Sequence, residues 1–265
     1  MLGSTFYHET VRKCVIGFGT LFNDIHITRK DSSGNTVQSM KVPLAYGPKQ
    51  KFLVRLREDP NITKSVAITL PRIGFEIGTI AYDPTRKLNK IQKVKKPGTA
   101  GNKVDSQYMP VPYNIDFELY AMSKNSDDAL QIVEQILPYF QPEYTITIND
   151  IVQMNNKRDV PIILTGITYE DNYEGDFAER RAIIYTLSFT AKAYLYGPVT
   201  SGQVITKVQV DQFSDSATAA PKREQRYTVT PEPATADFDD DFGFNETSSF
   251  FSDAKTYNPT TGQDE

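Results

Sequence analysis

The sequence predicts an α+β fold: a mostly antiparallel sheet packed by one main helix over residues 126–140, with a flexible acidic C-terminal extension. Two observations lead there. The stretch Ser126-Asp127-Asp128-Ala129-Leu130-Gln131-Ile132-Val133-Glu134-Gln135-Ile136-Leu137-Pro138-Tyr139-Phe140 has helical apolar spacing, through Leu130, Val133 and Leu137 widened by Ile132, Ile136 and Phe140. The segments around it alternate apolar and polar residues with the period of strands.

In the helix, Ser126 is the expected N-cap, because its hydroxyl can accept from a free backbone N–H of the first turn. Asp127 and Asp128 place negative charge at the positive end of the helix dipole. Pro138 disfavours helical geometry at Leu137, so the regular helix stops or kinks there. A short helix apolar over so much of its girth is expected to be covered on most sides.

Taken in order, Phe22, Ile25 and Ile27 mark the start of a strand, and Asp31-Ser32-Ser33-Gly34-Asn35 is a turn to a second strand over 36–42. Lys49 to Arg57 alternates basic and apolar residues, and residues 62–70 form a mixed segment closed by Pro71. Residues 72–82 read as a strand through Ile73, Phe75 and Ile77. The 113–120 stretch alternates Tyr113, Ile115, Phe117 and Leu119 against Asn114, Asp116 and Glu118. Further strands are expected at 144–148, 160–169 and 181–195, the last with Ile183, Tyr185, Leu187, Phe189, Ala191 and Ala193 on one face.

Composition bounds the function. Of 265 residues 39% are hydrophobic, enough for a core but low enough to imply a poorly packed part. No run is long and apolar enough to span a bilayer, and Met1 to Thr10 lacks an apolar signal segment, so no membrane partner is expected. The single cysteine, Cys14, permits no internal disulfide and reads as a small buried hydrophobe. The net charge of −4 is uneven: residues 211–265 carry 12 acidic and 4 basic side chains, a net −8 that leaves +4 on the rest. The division expected is a domain at 1–210 and an acidic, aromatic-containing extension at 211–265, partly disordered in isolation because it buries too little apolar surface. Phe238, Phe242 and Phe244 exceed what a solubilising tail needs, so the extension is expected to dock its aromatics on a partner; an inert acidic tail is the alternative.

No catalytic pattern emerges, and no enzyme is expected. Gly17-Phe18-Gly19 lacks the third glycine of a dinucleotide fingerprint, where Phe22 stands, and no phosphate loop occurs. His8 and His26 have no metal-ligand spacing with Cys14, and no nucleophile elbow supports a Ser-His-Asp triad. No cofactor or metal is expected.

Two charged segments remain as candidate protein-interface residues. Arg86, Lys87, Lys90, Lys93, Lys95, Lys96 and Lys103 form a basic run with no acidic residue, read as an exposed loop or long hairpin. It is the one nucleic-acid-like footprint, but it lacks aromatic interleaving. A face for an acidic protein surface explains it as well, and no specific nucleic-acid binding is expected. Glu170, Asp171, Glu174, Asp176 and Glu179, followed by Arg180 and Arg181, read as a solvated acidic turn or half of an intersubunit ion pair, since the spacing lacks a calcium-loop ladder.

The segment Gln131-Ile132-Val133-Glu134-Gln135-Ile136-Leu137-Pro138-Tyr139-Phe140-Gln141-Pro142 closely resembles the helix segment of the tail sheath stabiliser and completion proteins of T-even-like contractile-tailed phages. Supporting pieces follow the same order: Phe6-Tyr7, Leu21-Phe22-Asn23-Asp24-Ile25, Val42-Pro43-Leu44-Ala45-Tyr46-Gly47, Leu70-Pro71-Arg72 and Glu179-Arg180-Arg181. The resemblance spans roughly residues 1–200, and beyond Asp211 no motif matches. It implies a tail-terminator-like fold and a structural virion protein, assembled in the host cytoplasm. It further implies a hexameric ring that caps the head-proximal end of the tail, holds the sheath extended and offers the head and neck a docking surface. The implied partners are other copies of the chain, the sheath protein, the tube terminator and head or neck proteins. The alternatives are another tail or baseplate component, or a nucleic-acid-binding module using residues 86–103.

Overall fold

The computed structural model describes residues 5–57, 69–98, 103–151, 154, 156–172, 182–213, 223–237, 239–251, 257–258 and 263–264. In chain order the elements are α1 (Thr10–Leu21), β1 (His26–Lys30), β2 (Thr36–Lys41), β3 (Leu44–Tyr46), α2 (Lys49–Arg57), β4 (Arg72–Tyr82), β5 (Lys93–Pro97), β6 (Lys103–Tyr108) and β7 (Val111–Ser123). There follow α3 (Ser126–Ile136), β8 (Glu143–Ile151), β9 (Asn156–Asn172), β10 (Ala182–Leu195), β11 (Thr200–Gln203), β12 (Val208–Phe213), β13 (Arg223–Glu232) and β14 (Gly243–Phe250). They fall into two units. The first comprises Met1–Lys90 and Pro110–Tyr196; the second comprises Ile91–Met109 and Gly197–Glu265.

The expected α+β sheet with one main helix is not what forms. The protein is mostly β, 56% strand and 17% helical, with several sheets and, among the described residues, three α-helices. In the first unit a six-stranded sheet runs β3-β4-β7-β10-β9-β8, antiparallel except for the β3–β4 pair. The alternation of β7 and β10 puts Ile115, Phe117, Leu119, Leu187, Phe189 and Ala191 into one buried cluster. Two helices contribute to that cluster. From α1, Phe18 is fully buried and stacks on Phe117 with ring centroids 4.4 Å apart. From α3, Ile132 and Ile136 enter the same core. Burying one such side chain is worth about 1.5–3 kcal/mol.

Helix α1 has a local cost. Gly17, Gly19 and the β-branched Thr10, Val11, Val15, Ile16 and Thr20 are poor helix formers. Close packing explains the glycines. A Cβ on Gly19 would sit 2.8 Å from the Phe75 ring, and one on Gly17 2.8 Å from Ile146 Cδ1. The Gly17-Phe18-Gly19 motif thus lays a helix on a sheet.

On α3, Asn125 rather than Ser126 is the N-cap residue, and the regular helix ends at Ile136 in a 3₁₀ turn over Leu137–Tyr139. The helix is covered on one face and not on most sides, since Leu130 remains 42% exposed. Its polar side chains close the edge of β1. Gln131 accepts from Thr28 N at 2.9 Å and donates to Thr28 O at 3.0 Å, and Gln135 donates to His26 O at 2.7 Å. Asp128, nearly fully buried, accepts from Arg29 at 2.6 and 3.3 Å. The β1–β2 turn is held by Asp31 Oδ1, which accepts from Ser33 N and Asn35 N, both at 2.9 Å, with Gly34 at φ +84°.

Helix α2 serves the opposite face of the sheet. Phe52 joins Tyr120, Met122, Ala182 and Ile184 in a second cluster, seated over Gly74.

The second unit holds two three-stranded antiparallel sheets, β11-β6-β5 and β12-β13-β14. Among its described residues none of the hydrophobic ones is buried; Gln107 and Arg223 are the buried ones. Polar contacts fasten it. Arg226 donates twice to Asp211, at 2.6 and 2.8 Å, and Arg223 lies 3.6 Å from Asp211 and 4.4 Å over the Phe251 ring. Gln107 donates to Gly197 O at 2.7 Å. Strand β12 runs through the composition break at Asp211.

Candidate interaction surfaces

The basic run divides between the two units. Arg86, Lys87 and Lys90 belong to the first unit; Lys93, Lys95, Lys96 and Lys103 belong to the β5–β6 hairpin of the second. Arg86 turns inward. It donates to Asp83 Oδ2 at 2.8 Å, to Asn114 Oδ1 at 2.7 Å and to Tyr113 O at 3.1 Å, and stands 5.1 Å from the Tyr194 ring centroid. The Thr85 hydroxyl, then Arg86, holds the Asp83 carboxyl well below the usual carboxylate range. Lys87 and Lys90 are exposed.

On β5, Lys93 and Lys95 are exposed and share one face by the two-residue period of a strand. Lys93 lies 4.4 Å over the ring of its cross-strand neighbour Tyr108. Lys96 lies opposite Asp105 in the β5–β6 ladder, and Lys103 pairs with Gln203 of β11.

Of the acidic turn, Glu170 accepts from Lys49 Nζ at 2.6 Å, tying α2 to β9, and Asp171 accepts from Tyr169 OH at 3.3 Å. Glu174, Asp176, Glu179, Arg180 and Arg181 lie outside the described residues, as does Phe238. Phe242 and Phe244 meet edge to face at 5.6 Å at the start of β14, with Phe244 largely exposed.

Two features escaped the sequence reading. The Tyr120 hydroxyl stands 2.5 Å from Glu76 Oε1 and 2.6 Å from Glu118 Oε2, two carboxylates that are cross-strand neighbours. Burial first, and the two carboxylates after it, push this phenol up from its ordinary value. The alternation of Glu118 and Tyr120 on β7 hinted at a shared face, but Glu76 is 44 residues away. The other feature is an open groove of about 540 Å³ beside the end of α3, lined by Phe22, Tyr139, Phe140 and Tyr144, with Asp24 and Glu134 at its side. Among the described residues no group of three or more His, Cys, Asp or Glu is placed to hold a metal ion, and no helix is long and apolar enough to cross a membrane.

A unit with its own apolar core, and a second that exposes lysines and aromatics without a buried hydrophobic residue among those described, offer surfaces for contact with other proteins. Residues 5–255 match the family described as the T4-like virus Myoviridae tail sheath stabiliser, and the chain belongs to that family. It is 31% identical over 229 residues to the tail completion protein gp15 of Enterobacteria phage T4, covering 83% of this chain and 82% of that protein. As in the rest of the family its role is structural, that of a tail sheath stabiliser of a T4-like phage, and its place is the virion tail. The family match reaches well past residue 200, where the recognisable motifs end.

Proposed function

We propose that this chain is the subunit of a hexameric ring that caps the head-proximal end of the contractile tail. The ring sits on the tube terminator, holds the last sheath ring in its extended state and presents the surface to which head or neck proteins dock. The acidic extension 211–265 reaches these neighbours with its aromatic residues. The observation that carries the reading is the second unit, whose strands leave Val208, Val210, Phe244 and Phe250 exposed. Apolar side chains left exposed on three-stranded sheets are what a partner surface would cover.

Electron microscopy of sheathed tails, assembled with and without the protein and then diluted, tests this. Extended sheaths only when the protein is present, with a ring at the head-proximal end, are expected. Sheaths equally stable without it, or a protein bound at the baseplate, would overturn the reading.

A further inference from the structure

The two sheets of the second unit end in strands of opposite character. β5 is the outer strand of β11-β6-β5 and carries Lys93, Lys95 and Lys96 with no acidic residue. β14 is the outer strand of β12-β13-β14, and every one of its residues is exposed. Its charged residue is Glu246, and the chain approaches it through Asp237, Asp239, Asp240 and Asp241. Phe244, Glu246, Ser248 and Phe250 share one face by strand period. Among the described residues each of these strands has a ladder partner on one side only, so each offers a row of backbone donors and acceptors to another strand.

Charge sorts the ways in which copies could use these edges. β5 against β5 would set lysines against lysines. β14 against β14 would bring two acidic approaches together if the strands ran parallel, and would set no opposite charges against each other in either direction. Like charges directly opposite in a sheet are destabilising. β5 against β14 is the combination in which the charges attract, and it uses two different surfaces of the chain. Such a heterologous contact leaves one edge of each kind free on every pair, so it propagates and can close into a ring.

We propose that β5 of one copy adds to β14 of the next, joining two three-stranded sheets into one across the subunit boundary. The proposal rests on the ring reading above and names the contact that would build it. Backbone hydrogen bonds hold the two strands, and the lysines against the acidic approach set their pairing.

The test uses the full-length chain and sedimentation at low and high salt. The wild type is expected to associate at low salt. Reversing Lys93 and Lys95 to Glu, or Asp240, Asp241 and Glu246 to Lys, should each weaken association about tenfold or more, because several exposed pairs act together. Combining both reversals in one chain should restore it. In the associated wild type the β14 amides should also gain protection from hydrogen exchange relative to dilute protein. A wild type that associates with no response to either reversal, or with unprotected β14 amides, overturns this contact while leaving the ring to the microscopy of tails. A wild type monomeric at low salt overturns it too, and a ring seen on tails would then rest on other surfaces. Retention on DNA abolished by the lysine reversal and not restored by the combined chain would assign β5 to a polyanion, and the proposal would fall.

Discussion

The first unit builds a buried apolar core, while among the described residues of the second no hydrophobic one is buried. In the first, Phe18, Phe117, Phe189, Ile132 and Leu119 sit in one cluster fed by both sides of the interface between sheet and helices. In the second, the described residues Ile205, Val208, Phe244 and Phe250 remain exposed, while part-buried Asp211 is fastened by part-buried Arg226 and lies near buried Arg223. The first unit is stabilised mainly by removing apolar surface from water, which salt barely weakens. The second leans on ladders and charge-assisted hydrogen bonds, which respond to pH and, where exposed, to salt. Within one chain, then, one part rests on a buried apolar core and the other on strand ladders and polar fastenings.

The largest test of that contrast is a pair of aromatic truncations. Phe18→Ala should cost about 3–5 kcal/mol in chemical denaturation, as buried aromatic deletions do. Phe244→Ala should change stability by no more than about 0.5 kcal/mol, the range of exposed sites. Equal losses would erase the distinction. A smaller effect is expected where α1 meets the sheet. Gly19→Leu forces a side chain into the Phe75 ring and should cost about 1–3 kcal/mol by overpacking, although leucine is the better helix former. A stabilised variant would mean that α1 can lift without loss.

The smallest effect falls in the second unit. Asp211→Asn weakens the paired donation from Arg226 and should raise hydrogen exchange in β12 and β13 by an amount worth about 1–2 kcal/mol, leaving β7 and β10 unchanged. Acid should mimic it. The Arg226 hydrogen bonds hold the Asp211 carboxyl below its ordinary 3.8. The stability it contributes is therefore present above about pH 4 and lost as pH falls through the lowered value. A protection factor in β12 and β13, corrected for the intrinsic pH dependence of exchange, that falls with acid in the wild type and not in Asp211→Asn is the expected signature.

Periodicity carried the reading furthest where one face of an element is buried. β7, β10 and the apolar face of α3 are legible because alternate or helical positions meet a single core. α1 was not legible, since Gly17 and Gly19 oppose a helix locally and their reason, Phe75 and Ile146, lies far along the chain. Missing it and α2 is what made one helix seem the centre of the fold. The same limit holds at the surface. The basic run announced itself by composition, but that Arg86 turns inward depends on Asn114, 28 residues later. The composition break at Asp211 does not mark the edge of a unit, since β12 runs through it and the second unit takes in residues 91–109 and 197–265.

The glutamines of α3 make the helix-to-hairpin seam sensitive to loss of an amide. Gln131 and Gln135 behave as a side-chain strand along β1, and an amide is suited to this because it carries both a donor and an acceptor. Slow hydrolysis of the Gln131 amide to a carboxylate would replace its donor with a second acceptor, facing the Thr28 carbonyl that now receives a hydrogen bond. The seam between helix and hairpin would open at that point without any change in chain length or sequence register. A one-dalton gain at this residue, read by mass spectrometry, would therefore mark particles in which this hydrogen bond to Thr28 is lost.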